Sequence, residues 1–300
     1  MLSLSVLQEE KLHFWRNGFV VVRGMFSRQE MAIVKRKIGE IQLMNARVER
    51  LRSQQTQGEH PSFETIFVWN DVEGNDLFAK IGRSHKILDR LSFYYDDDVY
   101  DYHNKIALKY PGIVGFRAHQ DYAYWKHYGC HFPEAHAVFI AIDPAYRKNG
   151  CLQLVPRSHL LGTLPHGAWT GQGSDNGVLP EVLQELFDTG YEFEPIEAEP
   201  GDAILFHGNT IHGSADNHSD ESRLAMIATM NTKRNSPDPR KNKPGHPYWS
   251  PQVRVTAPIT EADLDLPLPD FAKRYHAELS PPQSHSERVE RQHEPATGHR

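Results

Sequence analysis

The sequence is poor in cysteine: Cys130 and Cys151 are the two among 300 residues. Two thiols cannot build a disulfide framework, and neither stands in a Cys-x-x-Cys pair, so a reducing compartment is indicated. Long apolar runs are missing as well. No stretch approaches the roughly 18 apolar residues of a membrane-spanning helix. The start, Met1 to Leu7, reaches Glu9 and Glu10 before a signal-peptide core forms. A cytoplasmic protein without a membrane partner is expected. Positive charge is not in excess either, since 33 Lys+Arg face 39 Asp+Glu for a formal net charge of −6. Without clustered basic residues, a nucleic-acid backbone is not an expected partner.

What remains is an ordinary globular composition, 39% hydrophobic and 24% charged, of a length that suits two small domains or one large β-rich unit. The unusual feature is histidine, 18 in all. Their positions decide whether they mean metal chemistry, acid–base chemistry or a polar tail.

Residues 1–98 read as helices and short strands. Leu7 to Trp15 has helical apolar spacing, Gly18 stands where a helix stops, and Phe19 to Val22 is a buried strand. Ser27 is placed as the N-cap of a second helix with Met31, Ile33, Val34, Ile38 and Ile41 on its apolar face. A polar loop is expected from Glu49 to His60, then helical pieces over Leu77–Ile81 and Lys86–Phe93, the latter capped by Ser84. Over residues 99–232 the pattern changes to short strands: Tyr102–Leu108, Phe116–Asp121, Ala137–Ile142, Leu152–Val155, Tyr191–Ile196, Ala203–Phe206 and Leu224–Met230. Such spacing, punctuated by Gly, Pro and Asn, predicts an all-β sandwich or barrel. Residues 233–279 read as a loop and extension, with Asn235 to Pro247 as a flap over the barrel mouth. Residues 280–300 are polar enough to be disordered.

His119-Gln120-Asp121 carries the chemistry. In an extended segment residues two apart share a face, so one imidazole and one carboxylate reach a common centre. A distant second histidine then completes the 2-His-1-carboxylate set of non-haem Fe(II) oxygenases, which leaves metal positions open for a chelating acid and O2. A bare triplet is weak evidence, because His218-Ser219-Asp220 is a second one in a polar loop. Order strengthens it. After the triplet come the turn Pro200-Gly201-Asp202, the apolar run Ala203 to Phe206, His212-Gly213-Ser214 and Arg223. With His212 as second imidazole, Arg223 on the adjoining strand faces the same cavity, where a guanidinium grips a carboxylate bidentately.

Together with Lys109-Tyr110-Pro111, His119 to Trp125 and Asn149-Gly150 through His159, these segments resemble the phytanoyl-CoA dioxygenase family over roughly residues 10 to 250. The resemblance implies a mainly β fold with flanking helices: a cupin-like double-stranded β-helix, or jelly roll, with a helical N-terminal region. It further implies Fe(II), with 2-oxoglutarate and O2 as cosubstrates. His119, Asp121 and His212 match the iron ligands, Arg223 the 2-oxoglutarate anchor and Ser214 its helper. Lys105, Gln120 and Phe139 fall where relatives contact the cosubstrate, and Tyr124 and Trp125 are expected to shape the substrate pocket. Two departures matter. Arg157 replaces a usual glycine in a turn, and Asp121 is present where related halogenases carry a small residue, which favours hydroxylation.

The expected enzyme is an Fe(II)- and 2-oxoglutarate-dependent hydroxylase of a small-molecule metabolite, a monomer or homodimer, releasing succinate and CO2. A metal-free jelly-roll binding protein and a zinc hydrolase are the competing classes. His127, Cys130, His131 and His136 match no strong zinc spacing. Trp125 and Phe139 have ordinary core roles as their alternative, and Lys109 taken singly reads as solvated.

Overall fold

Leu4–Asn17 forms helix α1, whose N-cap Ser3 accepts from the Val6 amide; Gly18 ends it in the left-handed conformation at φ 84°, returning its N–H to Phe14 O at 2.7 Å. The structure is a computed structural model that describes residues 3–41, 44–46, 48–49, 66–69, 75–168, 176–237 and 248–269. Strand β1 (Phe19–Val22) follows, then α2 (Arg28–Gly39). Ser27 and Glu30 make a reciprocal capping box at the start of α2. Next come β2 (Ile66–Trp69), α3 (Leu77–Gly82), α4 (His85–Tyr95, capped by Ser84) and the long strand β3 (Val99–Lys109). The expected loop from residue 50 to 60, the flap over 238–247 and the tail over 280–300 lie outside the described residues.

The central region runs α5 (Tyr122–Trp125), β4 (His136–Ala141), β5 (Leu152–Leu154), β6 (His166–Ala168), β7 (Asn176–Val178), α6 (Pro180–Asp188), β8 (Glu194–Ile196), β9 (Ala203–Phe206), β10 (His212–Ser214) and β11 (Arg223–Thr232). A six-stranded sheet has the order β1-β9-β4-β11-β3-β2, and a three-stranded sheet the order β10-β5-β8. All pairs in both are antiparallel.

Alternation along the strands sets the two faces. Phe139, Ala141, Ile204, Phe206 and Ala225 of the large sheet pack with Leu152, Leu154 and Ile196 of the small one as a single buried cluster. The inter-sheet core is thus the jelly roll's interior, and the site opens from it. Two N-terminal strands, β1 and β2, extend the large sheet at its edges. The described residues belong to one compact unit, Met1–Pro269. Among them no helix is long and apolar enough to cross a membrane.

The expected Phe116–Asp121 strand is corrected. Only His119 pairs there, through an isolated bridge to His212, and Asp121 already has the helical φ −57°, ψ −38° as the chain turns into α5. The turn begins because the Tyr122 amide is taken by Gly208 O at 2.9 Å, which ends the extended path. Helix α6 and strands β2, β6 and β7 were not expected. Pro180 at the first position of α6 is the signal that marks its start.

Candidate metal centre and anion pocket

His119 and His212 exchange both backbone hydrogen bonds, N–H to O at 2.9 Å in each direction, so the two imidazoles are fixed relative to each other by main chain. Their ring centroids lie 4.1 Å apart. Asp121 comes in from the first turn of α5, its Oδ1 standing 3.7 Å from His119 Nε2 and 3.9 Å from His212 Nε2. One donor atom from each residue lies within 4.8 Å of the others, and all three residues are buried. Among the described residues this is the one such group, and the His127–His136 region holds none.

The imidazoles are set as ligands. Nδ1 of His119 lies 2.8 Å from Arg117 O, and Nδ1 of His212 lies 2.9 Å from Thr210 O. A carbonyl only accepts, so each Nδ1 holds the proton and each Nε2 presents its lone pair to the centre. Burial, then the neighbouring His212, pushes His119 down to about 3, and burial first lowers His212 as well. Burial opposes the Asp121 carboxylate, but His212, Lys105 and His119 outweigh it and hold the carboxyl below its ordinary value. Neutral imidazoles and an ionised carboxylate are the state a divalent cation requires.

Arg223 opens β11 and is buried beneath the same cavity. One Nη donates to Gly150 O at 2.5 Å, the guanidinium carbon sits 5.5 Å from the Phe139 ring centre, and Nε has no hydrogen-bond partner. Among the described residues no carboxylate pairs with it. Burial lowers it to about 10, which leaves it cationic at neutral pH. Ser214 Oγ accepts from Lys109 Nζ at 2.7 Å and from the Phe116 amide at 3.1 Å, which uses its two lone pairs and frees its own proton to donate. The cavity holds the triad, Lys105, Ser214 and Arg223 between the apolar walls Phe116, Phe139, Leu152, Phe206 and Ile227.

Two expected contacts are corrected. Gln120 is fully buried with its amide spent on Gly162 O, Asn209 O and the Leu164 amide, at 2.7–2.8 Å, and it points away from the cavity because its neighbours on either side point in. It braces loops. Trp125, like Tyr124, is not among the residues that line this cavity. One residue on a helix turns the side chain by about 100°, so Tyr124 stands edge-on to His119 at 5.9 Å while Trp125 joins Tyr100, Tyr102, Cys130 and Ala135 behind Lys105.

Lys109 was undervalued by sequence. It is buried, bonds Ser214 Oγ and Ala215 O, and faces Arg223 across the β3–β11 pair. Its signal was the four-residue spacing from Lys105 on one strand face. His166, also missed, accepts from the Gln120 backbone N–H at 3.0 Å through Nε2 and stands 6.2 Å from Tyr124. Arg157 adopts φ 67°, so the turn keeps the left-handed conformation usual for glycine.

The Phytanoyl-CoA dioxygenase (PhyH) family model matches residues 14–225. Methylphosphonate hydroxylase of Gimesia maris is 33% identical over 130 residues, covering 43% of this chain and 44% of the relative, so the match spans less than half of that protein. The probable alpha-ketoglutarate-dependent hypophosphite dioxygenase of Stutzerimonas stutzeri is 26% identical over 224 residues, 73% of this chain and 76% of that one. In fold, the chain is similar to the crystal structure of EctD from S. alaskensis with 2-oxoglutarate and 5-hydroxyectoine, at TM-score 0.63 and 20% identity over 86% of this chain and 89% of that one. That likeness establishes the jelly roll. With the family model covering well over half of its length, the chain belongs to the phytanoyl-CoA dioxygenase family.

Proposed function

We propose that this protein is an Fe(II)- and 2-oxoglutarate-dependent dioxygenase that hydroxylates a C–H bond of a small-molecule metabolite, with release of succinate and CO2. The observation that carries this reading is a buried three-donor metal set sharing one cavity with a guanidinium that has no carboxylate partner among the described residues. An unpaired buried charge is costly, so the pocket is built around an incoming anion. When bound, a ferrous ion supplies the oxidation of 2-oxoglutarate by O2 and the transfer of oxygen to the substrate.

The chain's own groups do the rest. His119, Asp121 and His212 would hold the metal ion through one imidazole nitrogen each and the carboxylate. Arg223 and the Ser214 hydroxyl hold the far carboxylate of the cosubstrate. Phe116, Phe139 and Phe206 exclude water from the reacting centre. The two relatives above are named for methylphosphonate and hypophosphite, small phosphorus oxyanions, which supports a free small metabolite over an acyl-CoA thioester.

A zinc hydrolase uses the same donor types but has no need of Arg223. Anaerobic titration with Fe(II) and 2-oxoglutarate separates the readings. The expected result is a weak visible metal-to-ligand charge-transfer band that requires both additions. A protein that binds both and stays colourless sinks the proposal.

A further inference from the structure

Helix α1 buries one of its 14 residues, Phe14, although a helix on a globular surface ordinarily turns a full apolar stripe toward the core. Its outer face is open. Glu9, Leu12, His13 and Arg16 follow one another at i, i+3, i+4 and i+7, the spacing that lines residues up along one side of a helix, and all four are exposed. Leu12, at the middle of the row, is 71% exposed. A groove runs beside it, walled by Trp15 at 39% exposure and, from the turn that follows β5, by Arg157 and by Leu160 at 64%. Its walls are fixed. The Arg157 amide donates to Asn17 O at 2.8 Å, His159 Nε2 lies 3.0 Å from Trp15 O, and Trp15 Nε1 donates to Tyr94 O at 2.9 Å. Exposed apolar side chains gathered in this way, with polar residues around them, mark a protein contact.

The charges say what covers it. The side chains of Glu9, Arg16 and Arg157 make no ion pair among the described residues. Glu9 lies toward the N-terminal end of the row and Arg16 toward the C-terminal end, seven residues or about 10 Å apart along the axis. A wholly acidic or wholly basic partner would set one end of the row against like charge. A second α1 laid antiparallel on the first, with a two-fold axis between Leu12 and His13, brings Glu9 of each copy level with Arg16 of the other. Each copy's Leu12 then meets Leu12 and His13 of its mate. Such a contact is isologous, so every complementary pair occurs twice. We infer that the outer face of α1 is the two-fold interface of a homodimer, with a second copy of this chain packed antiparallel through Glu9, Leu12 and Arg16. One helix face with a flanking turn is small beside the roughly 800 Å² per partner of a standard interface, so self-association in the micromolar range is expected.

Sedimentation velocity of the full chain from about 1 to 200 μM tests this, with a monomer–dimer equilibrium as the expected result. Glu9→Arg makes the row wholly basic and Arg16→Glu makes it wholly acidic, so each alone should raise the dissociation constant by about tenfold or more. An equimolar mixture of the two variants should associate as wild type does, because each then meets the opposite charge. Leu12→Ser leaves the charges alone and should weaken the dimer to a similar degree. A wild-type chain that stays monomeric throughout overturns the inference, as does a dimer that either charge reversal or Leu12→Ser leaves intact, or a mixture no tighter than its components. None of these results bears on the oxygenase reading, which rests on residues outside α1.

Discussion

Lys109 and Arg223 stand directly opposite each other in the antiparallel β3–β11 pair, two buried cations in register. Like charges so placed destabilise a sheet unless something offsets them. Here Lys109 yields: burial, with Arg223 behind it, pushes its amine down to about 6. The Lys109 ammonium is thus mostly deprotonated near neutral pH in the ligand-free protein. An anion bound at Arg223 favours its return to the charged form.

The first prediction follows from that sign. If 2-oxoglutarate binding draws a proton onto Lys109, affinity is greatest near pH 6 and weakens as pH rises, by at most about tenfold per pH unit for one linked proton. Titrating the charge-transfer band from pH 6 to 8 reads the slope. Lys109→Met removes both the proton and the donor to Ser214 Oγ, and should bind more weakly at pH 6 with a flat profile. A profile in the variant as steep as in the wild type would show that Lys109 is not the linked group.

Arg223→Gln leaves iron binding in place but removes a charge-assisted pair. Such bonds contribute about 1.5–3 kcal/mol each, and the loss of a bidentate grip should raise the 2-oxoglutarate requirement by roughly a hundredfold or more. Succinate formation against 2-oxoglutarate concentration, at saturating iron, reports it. Arg223→Lys should fall between the two, since one ammonium cannot reproduce the planar fork. Unaltered cosubstrate dependence in Arg223→Gln would remove the anchor role.

Gln120→Ala should act on stability and not on ligand affinity. Three buried hydrogen bonds, to residues 162, 164 and 209, lose their partner at once. Leaving such groups unsatisfied costs about 1–3 kcal/mol apiece, with neighbours relaxing to recover part of it. An unfolding free energy from urea titration lowered by about 2–4 kcal/mol in total, with 2-oxoglutarate affinity unchanged in the folded protein, is the expected pattern. A variant of native stability that binds 2-oxoglutarate poorly would restore Gln120 to the pocket.

These residues also show where sequence was legible. The helix starts at Ser27 and Ser84 and the strands Ala203–Phe206 and Phe19–Val22 were readable because their signals are local: a cap, or an apolar run between turn residues. The metal set was readable from spacing and order, although the geometry behind it differs. Asp121 reaches the centre from a helical turn, not by strand alternation, because a distant carbonyl, Gly208 O, diverts the chain. Lys109 and Gln120 were misread for one reason. Each owes its role to partners some 40 to 110 residues away, and no local pattern encodes whether a lysine is solvated or a glutamine braces a loop. Glycines carry a similar hidden constraint. Gly150, at φ 73°, has no room for a Cβ beside Ala215 O and Lys109 Nζ, and its own carbonyl is the one Arg223 holds.

Acid should unfold the metal-free protein early. His136 is fully buried, stacked on Tyr95 at 4.7 Å, and burial lowers it to about 4; His207 is pushed to about 3, chiefly by burial. An unfolded histidine titrates near 6.5. Below that value the unfolded chain takes up protons that the folded one refuses, so the stability each neutral imidazole carries is present above pH 6.5 and lost as pH falls toward its folded value. For His136 the span is worth about 3 kcal/mol at most. Asp101 works the other way: burial raises it to about 7, so it favours the folded state below that pH and partly offsets the trend. Comparing variants isolates one histidine. His136→Phe keeps a flat ring against Tyr95 but cannot titrate, and forfeits the Nδ1 hydrogen bond to Glu134 O. It should be less stable than wild type at pH 7.5, yet lose less of its stability between pH 7 and 5 in urea unfolding. An equal pH slope in the two proteins would mean that His136 takes up its proton as readily in the fold as in the unfolded chain.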